Sequence, residues 1–217
     1  MEGVASSTLV SSTINNLTLG HQCFYFANVK RIIKGYDKSM KTPFKIRLAA
    51  AQDIPKIINI IEDARALSRK LESTQWLAKD GYPNVETFIN DIKHQELYVA
   101  TLNYTVVGVM ALSLRGESTY QVIYSGQWLT STSNYGVMHR LAVKKEYYGQ
   151  GVSTALMDFA QGFFKQHNKA SIRIDTFKKN QPMLRLVEKL GYKYCGIIKL
   201  GKYEGEDDLR LAFEKFI

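Results

Sequence analysis

Apolar and polar residues change period several times along the chain, and each change marks an element. Phe44-Lys45-Ile46-Arg47-Leu48 alternates apolar and basic residues, as a half-buried strand does. Ile54, Ile57, Ile58 and Ile61 then recur at helical spacing, with Pro55 in the first turn, where a missing N–H breaks no intrahelical bond. That pattern predicts a helix to about Leu71, and Asn84 is the expected N-cap of a second helix reaching Ile92. Residues 97–102 and 106–114 read as a hairpin turning at Asn103-Tyr104. A long connection carrying Glu117, Tyr120, Tyr124 and Trp128 follows. Beyond it the pattern predicts a strand over 135–143 and a helix over 149–167, whose apolar face is Val152, Leu156, Phe159, Phe163 and Phe164. A strand over 171–176, a helix over 181–190 and strands over 192–200 and 209–213 complete the chain. The order β-α-α-β-β-β-α-β-α-β-β indicates an α/β (α+β) fold built on one mixed sheet. Two helical crossovers imply parallel pairing of the strands that they join.

Residues 1–43 fall outside this regular pattern. Ser, Thr and Asn dominate the first twenty, the aromatic patch Phe24-Tyr25-Phe26 follows, and basic residues lead to Pro43. The segment reads as an appended arm of undisclosed role, leaving 44–217 as the single main domain. At 217 residues and 45% hydrophobic content, the chain is long and apolar enough to bury a substantial core. No stretch approaches the roughly 18 apolar residues of a membrane span, and the start lacks the basic cluster of a secretory signal, so no membrane association and a cytoplasmic location are expected. Cys23 and Cys195 stand far apart and the four histidines are scattered singly, which predicts neither a disulfide nor a metal site. The net charge of +9 is spread without a run of five basic residues. It suits an enzyme that attracts an anionic ligand better than a nucleic-acid binder. Sheet edges and the arm offer surfaces for a homodimer.

The most informative stretch runs from His139 to Ser153. A strand ends near Val143, a turn carries Gly149 and Gly151, and a helix follows at once. The first amides of a helix have no intrahelical acceptor and sit at the positive end of its dipole, a geometry suited to phosphate. Lys144 and Lys145 are close in sequence and add charge. A lone G-x-G serves turn geometry equally well.

Leu141-Ala142-Val143 followed by Glu146-Tyr147-Tyr148-Gly149-Gln150-Gly151 resembles the acetyl-CoA motif of the GNAT superfamily of N-acetyltransferases. Ile172-Arg173-Ile174-Asp175-Thr176, Asn180, Pro182-Met183 and Glu188-Lys189-Leu190-Gly191-Tyr192 resemble the second half of that domain, so the likeness covers 44–217. It implies a splayed GNAT-like acyl-CoA acyltransferase sheet with acetyl-CoA (coenzyme A) as cofactor. It further implies backbone pairing of Leu141, Ala142 and Val143 with the pantetheine arm, a pyrophosphate cradle from Gly149, Gln150, Gly151, Val152, Ser153 and Thr154, and a hydrogen bond from Asn180. One departure stands out: Val187 occupies the place where many members carry a tyrosine that protonates the departing thiolate.

The implied activity is acetyl transfer to a primary amine of a small molecule or peptide, by direct attack. A binding module that has lost catalysis is the alternative, and a basic nucleic-acid-associated protein a weaker one. An amine of pKa near ~10.4 is protonated at neutral pH, so a base is useful. His139 is the first candidate, expected to share a sheet face with Leu141 and Val143; the other reading is a histidine satisfied within the sheet. Glu117 is the second catalytic candidate and Asp175 a further one. Trp76, Tyr82 and Trp128 are the candidates for the border of the acceptor pocket, although for each one taken alone ordinary core packing is the preferred reading.

Overall fold

A computed structural model describes residues 43–77 and 81–217. The arm up to Lys41, with its aromatic patch and Cys23, lies outside the described residues. The elements are β1 (Lys45–Leu48), α1 (Ile54–Lys70), α2 (Val85–Lys93), β2 (Leu97–Leu102), β3 (Thr105–Ser113), β4 (Tyr135–Val143), α3 (Val152–Gln166), β5 (Ser171–Thr176), α4 (Gln181–Lys189), β6 (Lys193–Lys199) and β7 (Leu209–Phe216). This is the order that the hydrophobic periods imply. Asn84 caps α2 as expected, its side chain accepting from the Thr87 N–H at 3.0 Å.

The strands form one seven-stranded sheet in the order β1-β2-β3-β4-β5-β7-β6. Only part of the expected parallel pairing forms. β4 and β5 run parallel, but β7 inserts between β5 and β6 and pairs antiparallel with both. The final strand thus takes the position that the second crossover had reserved for direct β5–β6 contact.

Both faces of the sheet are covered. On one, Val152, Leu156, Ala160, Phe163 and Phe164 of α3 pack with Tyr98, Met110, Leu112, Met138 and Ile172. On the other, Ile57, Ile60 and Ile61 of α1 and Phe88 of α2 pack on Leu97, Val99, Val109 and Ala142. Burying each such side chain contributes about 1.5–3 kcal/mol.

Two irregularities in β4 shape everything near the site. First, β4 pairs with β5 only through Tyr135↔Ser171, Gly136↔Ile172 and Val137↔Arg173, after which both strands continue unpaired with each other. Second, β4 carries a bulge: Val109 faces Ala142 and Ala111 faces His139, so Arg140 and Leu141 together oppose Met110. Arg140 adopts φ +57° at this point. The bulge breaks the two-residue alternation. Leu141 and Val143 pack on the α3 side with Met138, whereas Ala142 turns to the α1 side and the His139 ring stacks near Tyr120. The expectation that His139 shares a face with Leu141 and Val143 is therefore wrong; one inserted residue separates them.

α3 lies close against β4 because Gly136 has no side chain. A Cβ there would stand 2.2 Å from Cδ1 of Phe164, which is fully buried. Gly136→Ala is expected to destabilise the fold by about 1–3 kcal/mol or more, through overpacking against a ring with no room to yield. Urea denaturation monitored by circular dichroism checks this; an unchanged midpoint would show that the interface relaxes freely.

Candidate active site

Where β4 and β5 separate, a cavity of about 880 Å³ opens. Its walls include Leu141, Ala142 and Val143 of β4, Ile174, Asp175 and Thr176 of β5, the start of α3 and part of α4. Strands that end their pairing early leave main-chain donors and acceptors unused, and a ligand with amide groups along its length satisfies them.

One end of the cavity rests on the start of α3. The helix begins at Val152, not at Gly149 as the pattern suggested, because Lys145–Tyr147 forms a short 3-10 turn and Gly151 is the N-cap. Gly149 and Gly151 have φ of +74° and +85°. A Cβ at either would meet nothing within 4 Å. Glycine is therefore selected by backbone angle, not by space. The Ala155 N–H bonds to the Gly151 carbonyl at 2.9 Å, so the amides of Val152, Ser153 and Thr154 lie ahead of the first intrahelical bond of the ladder. Gly149, Gly151, Val152, Ser153 and Thr154 all line the cavity; Gln150 does not, and its Nε2 donates to the Glu146 carbonyl. Neither Lys144 nor Lys145 lines it. The Lys144 ammonium lies 3.5 Å from Glu146, and the Lys145 N–H donates to Asp63.

Asn180 lines the cavity and also holds structure together. Its Oδ1 accepts from the Met183 N–H, capping α4, while Nδ2 donates to Gln75 Oε1 at 3.0 Å and Thr176 Oγ1 at 3.1 Å. The contact with Gln75, which sequence reading passed over, joins the segment after α1 to the start of α4.

At the other end the two catalytic candidates meet. His139 Nε2 lies 3.2 Å from Glu117 Oε2, and Nδ1 lies 4.0 Å from Asp175 Oδ1. Glu117 also accepts from the N–H and hydroxyl of Thr119 at 3.3 and 3.2 Å, as the cap of a short turn. Tyr120, buried beneath, donates its hydroxyl to Asp175 at 2.7 Å. Asp175 is thus fixed by a tyrosine. The hydrogen bond with His139 is the main reason that the Glu117 carboxyl falls to about 2, against an ordinary 4.5. Burial pushes the Tyr120 hydroxyl well up, so it remains a donor.

Trp76 and Tyr82 line the cavity, and two arginines hold the segment that carries them. Arg65 donates to the Trp76 carbonyl at 3.0 Å and the Pro83 carbonyl at 3.0 Å. Arg140, projecting from the bulge, donates to the Tyr82 hydroxyl and to Asp91 Oδ1, both at 2.8 Å. Burial pushes the Asp91 carboxyl up even with Arg140 beside it. No local signal exposes the Arg140–Asp91 pair, whose members lie 49 residues apart. Trp128 does not line the cavity. Its Nε1 donates to the Tyr120 carbonyl, and its ring packs under the Arg173 guanidinium, which is sandwiched against Tyr135 and paired with buried Glu214. Its role is in the core. Val187 is buried in the α3-side cluster, with no exposed surface to offer a reactant.

A carboxyl whose folded pKa is depressed adds stability that is fully present above its unfolded value and fades as the pH falls through the folded one. Glu117→Gln is accordingly expected to lower stability above about pH 4.5, with the deficit against wild type shrinking as the pH drops toward 2. Denaturation midpoints of both proteins at a series of pH values test this; a deficit that does not vary with pH would contradict the coupling to His139.

Residues 61–192 match the acetyltransferase (GNAT) family. A GNAT family acetyltransferase from Streptococcus agalactiae is similar in crystal structure, with a TM-score of 0.71 and 35% identity over 80% of this chain and 95% of that one. An N-alpha-acetyltransferase of Saccharolobus solfataricus is 26% identical over 179 residues, 81% of this chain and 96% of that protein. The paiA N-acetyltransferase of Thermoplasma acidophilum, solved in complex with coenzyme A, shares the fold at a TM-score of 0.57 and 17% identity, over 80% and 99% of the two chains. With its parted strands, its glycine-capped helix and a family match over most of its length, this chain belongs to the GNAT family of acetyltransferases, enzymes that use acetyl-CoA.

Proposed function

We propose that the chain acetylates a primary amine of a small molecule or peptide by direct attack, with His139 as the base. The observation that carries this reading is the His139 ring, set between the carboxylates of Glu117 and Asp175 at the border of the cavity. When bound, acetyl-CoA supplies an activated acetyl thioester. The free edge of β4 at Leu141, Ala142 and Val143 suits its amide-bearing arm, and the amides of Val152, Ser153 and Thr154 suit its pyrophosphate. Asn180, already ordered by Gln75 and Thr176, presents a polar side chain along the same path.

The acceptor amine arrives protonated and must lose that proton before it attacks. Neutral His139 takes it up, and the resulting imidazolium is stabilised by Glu117, which remains ionised across the working range. An N–H at Leu141 or Ala142, in or next to the β4 bulge, donates to the oxygen on which charge develops. Trp76 and Tyr82 form the acceptor end, where aromatic rings hold an ammonium group. The similarity to a protein named N-alpha-acetyltransferase supports an amine acceptor.

Release of free thiol from acetyl-CoA in the presence of a panel of amines and short peptides tests this function. Glu117→Gln and His139→Gln are each expected to lower kcat by about 100-fold or more with acetyl-CoA affinity unchanged. Variants as fast as wild type on every amine would overturn His139 as the base. Gly151→Val forces a β-branched residue to positive φ and is expected to weaken acetyl-CoA binding at least about tenfold by calorimetry. Undiminished affinity would remove the α3 cradle from the reading.

A further inference from the structure

Arg210, near the start of β7, is 6% exposed and lines the large cavity. It stands opposite Ile198 of β6 and two residues before Ala212, and both of these pack with Tyr120. Ala212 in turn faces Asp175 of β5, so Arg210 and Asp175 are diagonal neighbours on one face of the sheet, roughly 7–8 Å apart. Asp175 is also the carboxylate at the Nδ1 edge of His139. On this face Arg173 has Glu214 directly across from it. Arg210 has no such counterpart. Its Nη1 donates to the carbonyls of Asp207 and Leu209, at 2.7 and 2.8 Å, and no carboxylate of the described residues comes within ion-pair distance. Asp207 accepts from the Thr74 hydroxyl, and Asp208 from the N–H groups of Lys202 and Tyr203. Nε and Nη2 of Arg210 form no hydrogen bond. Among the described residues, the unbonded side-chain atoms sealed from solvent are Asp91 Oδ2 and Arg140 Nε, so these two nitrogens of Arg210 open on accessible space.

A guanidinium out of water is costly unless an anion meets it. Burial pulls this one below its ordinary value despite Asp175, Asp207 and Asp208 in the neighbourhood. Nε and Nη2 share one edge of the guanidinium, the fork that grips a carboxylate through two parallel hydrogen bonds. Lys202, on the β6–β7 connection, lines the same cavity with its ammonium 5.8 Å from the Tyr82 ring centre. The cavity therefore has two poles, cationic at Arg210 and Lys202 and anionic at Glu117 and Asp175 beside His139. We propose that the acceptor is a free amino acid, whose carboxylate docks on the Nε–Nη2 edge of Arg210 while its ammonium meets the pole at His139. The inference deepens, and rests on, acetyl transfer to an amine as proposed above. Poles this close suit a molecule with its two charges a few bonds apart, whereas a long peptide carries its terminal carboxylate well beyond Arg210. A doubly charged phosphate suits the site less, because Asp175 and Asp207 border the same space.

Matched acceptors test this: amino acids of graded length, from glycine to the longer ω-amino acids, each compared with its own carboxamide. In wild type the preferred amino acid is expected to exceed its amide by about 30-fold or more in kcat/KM, with the difference lying in KM. Arg210→Met is expected to raise KM for the amino acid until it and the amide react alike, with acetyl-CoA affinity unchanged. The preference is a ratio within one protein, so partial loss of folded material does not mimic this result. Arg210→Lys keeps the charge without the fork and is expected to keep only part of the preference. Lys199→Met, exposed on β6 and outside the cavity, removes a positive charge elsewhere and is expected to match wild type. Calorimetric titration of each amino acid into the protein saturated with coenzyme A reads binding apart from turnover. A wild type that acetylates amides or C-terminally blocked peptides as well as amino acids would overturn the proposal, as would a preference that survives in Arg210→Met. Amino acids silent in both turnover and titration overturn it too, whether or not the amides react. Binding that Arg210→Met abolishes, without thiol release from any acceptor, would leave the carboxylate site standing and remove acetyl transfer to amines instead.

Discussion

The parting of β4 from β5 after three paired residues is the constraint on which the rest of the structure depends. A continuous parallel ladder would use every main-chain donor between these strands and leave no room for a ligand. Here the ladder ends at Val137 and Arg173, and the remaining lengths of both strands form opposite walls of a cleft. Packing holds the cleft open. α3 is clamped to β4 where Phe164 occupies the space above Gly136, while Asn180 ties the start of α4 to Gln75. The amides at the start of α3 are consequently directed at the same opening as the unpaired edge of β4.

The bulge at Arg140 is the second determinant, and it acts through charge as well as geometry. By inserting one residue it sends Leu141 and Val143 to the α3 side of the sheet and leaves His139 on the opposite face, near Tyr120. The arginine at the bulge bonds Asp91 on α2 and Tyr82 on the preceding segment, so the part of the cavity that Tyr82 lines is held by a largely buried cation. Removing one partner of such a pair strands the other in a low-dielectric setting, which is why buried ion pairs fix geometry more than they add stability. The Arg173–Glu214 pair does the same for the lower part of the sheet, with Trp128 and Tyr135 stacked on the guanidinium. In both cases a strand irregularity or edge is fixed by a polar contact between residues far apart in the chain.

Much of this was legible from order and spacing. The strands at Leu97–Leu102 and Tyr135–Val143 follow from short runs rich in apolar residues, because a strand covered on both faces buries successive side chains, and Ser171–Thr176 follows from the alternation of Ile172 and Ile174 with polar residues. Gly149 and Gly151 signalled a turn for an equally local reason, and both adopt positive φ. His139 and Glu117 were legible as candidates of the right chemistry, but their meeting was not, since it depends on how the connection after β3 folds back over β4. Trp128 illustrates the limit from the other side. An aromatic residue in a connection can border a pocket or fill a core, and only the position of Arg173 and Tyr120 decides which.

The sequence by itself determined the succession of elements, the two-glycine turn that leads into α3 and the family, because these rest on interactions between residues close in the chain or on short motifs in fixed order. Tertiary structure alone decided the insertion of β7 between β5 and β6, the face on which His139 lies and the grouping of Glu117, His139, Asp175 and Tyr120. Each of these depends on contacts between distant segments, whose register a local pattern does not encode. A single bulged residue reverses every side chain beyond it, and nothing in the spacing of apolar residues records where that residue falls.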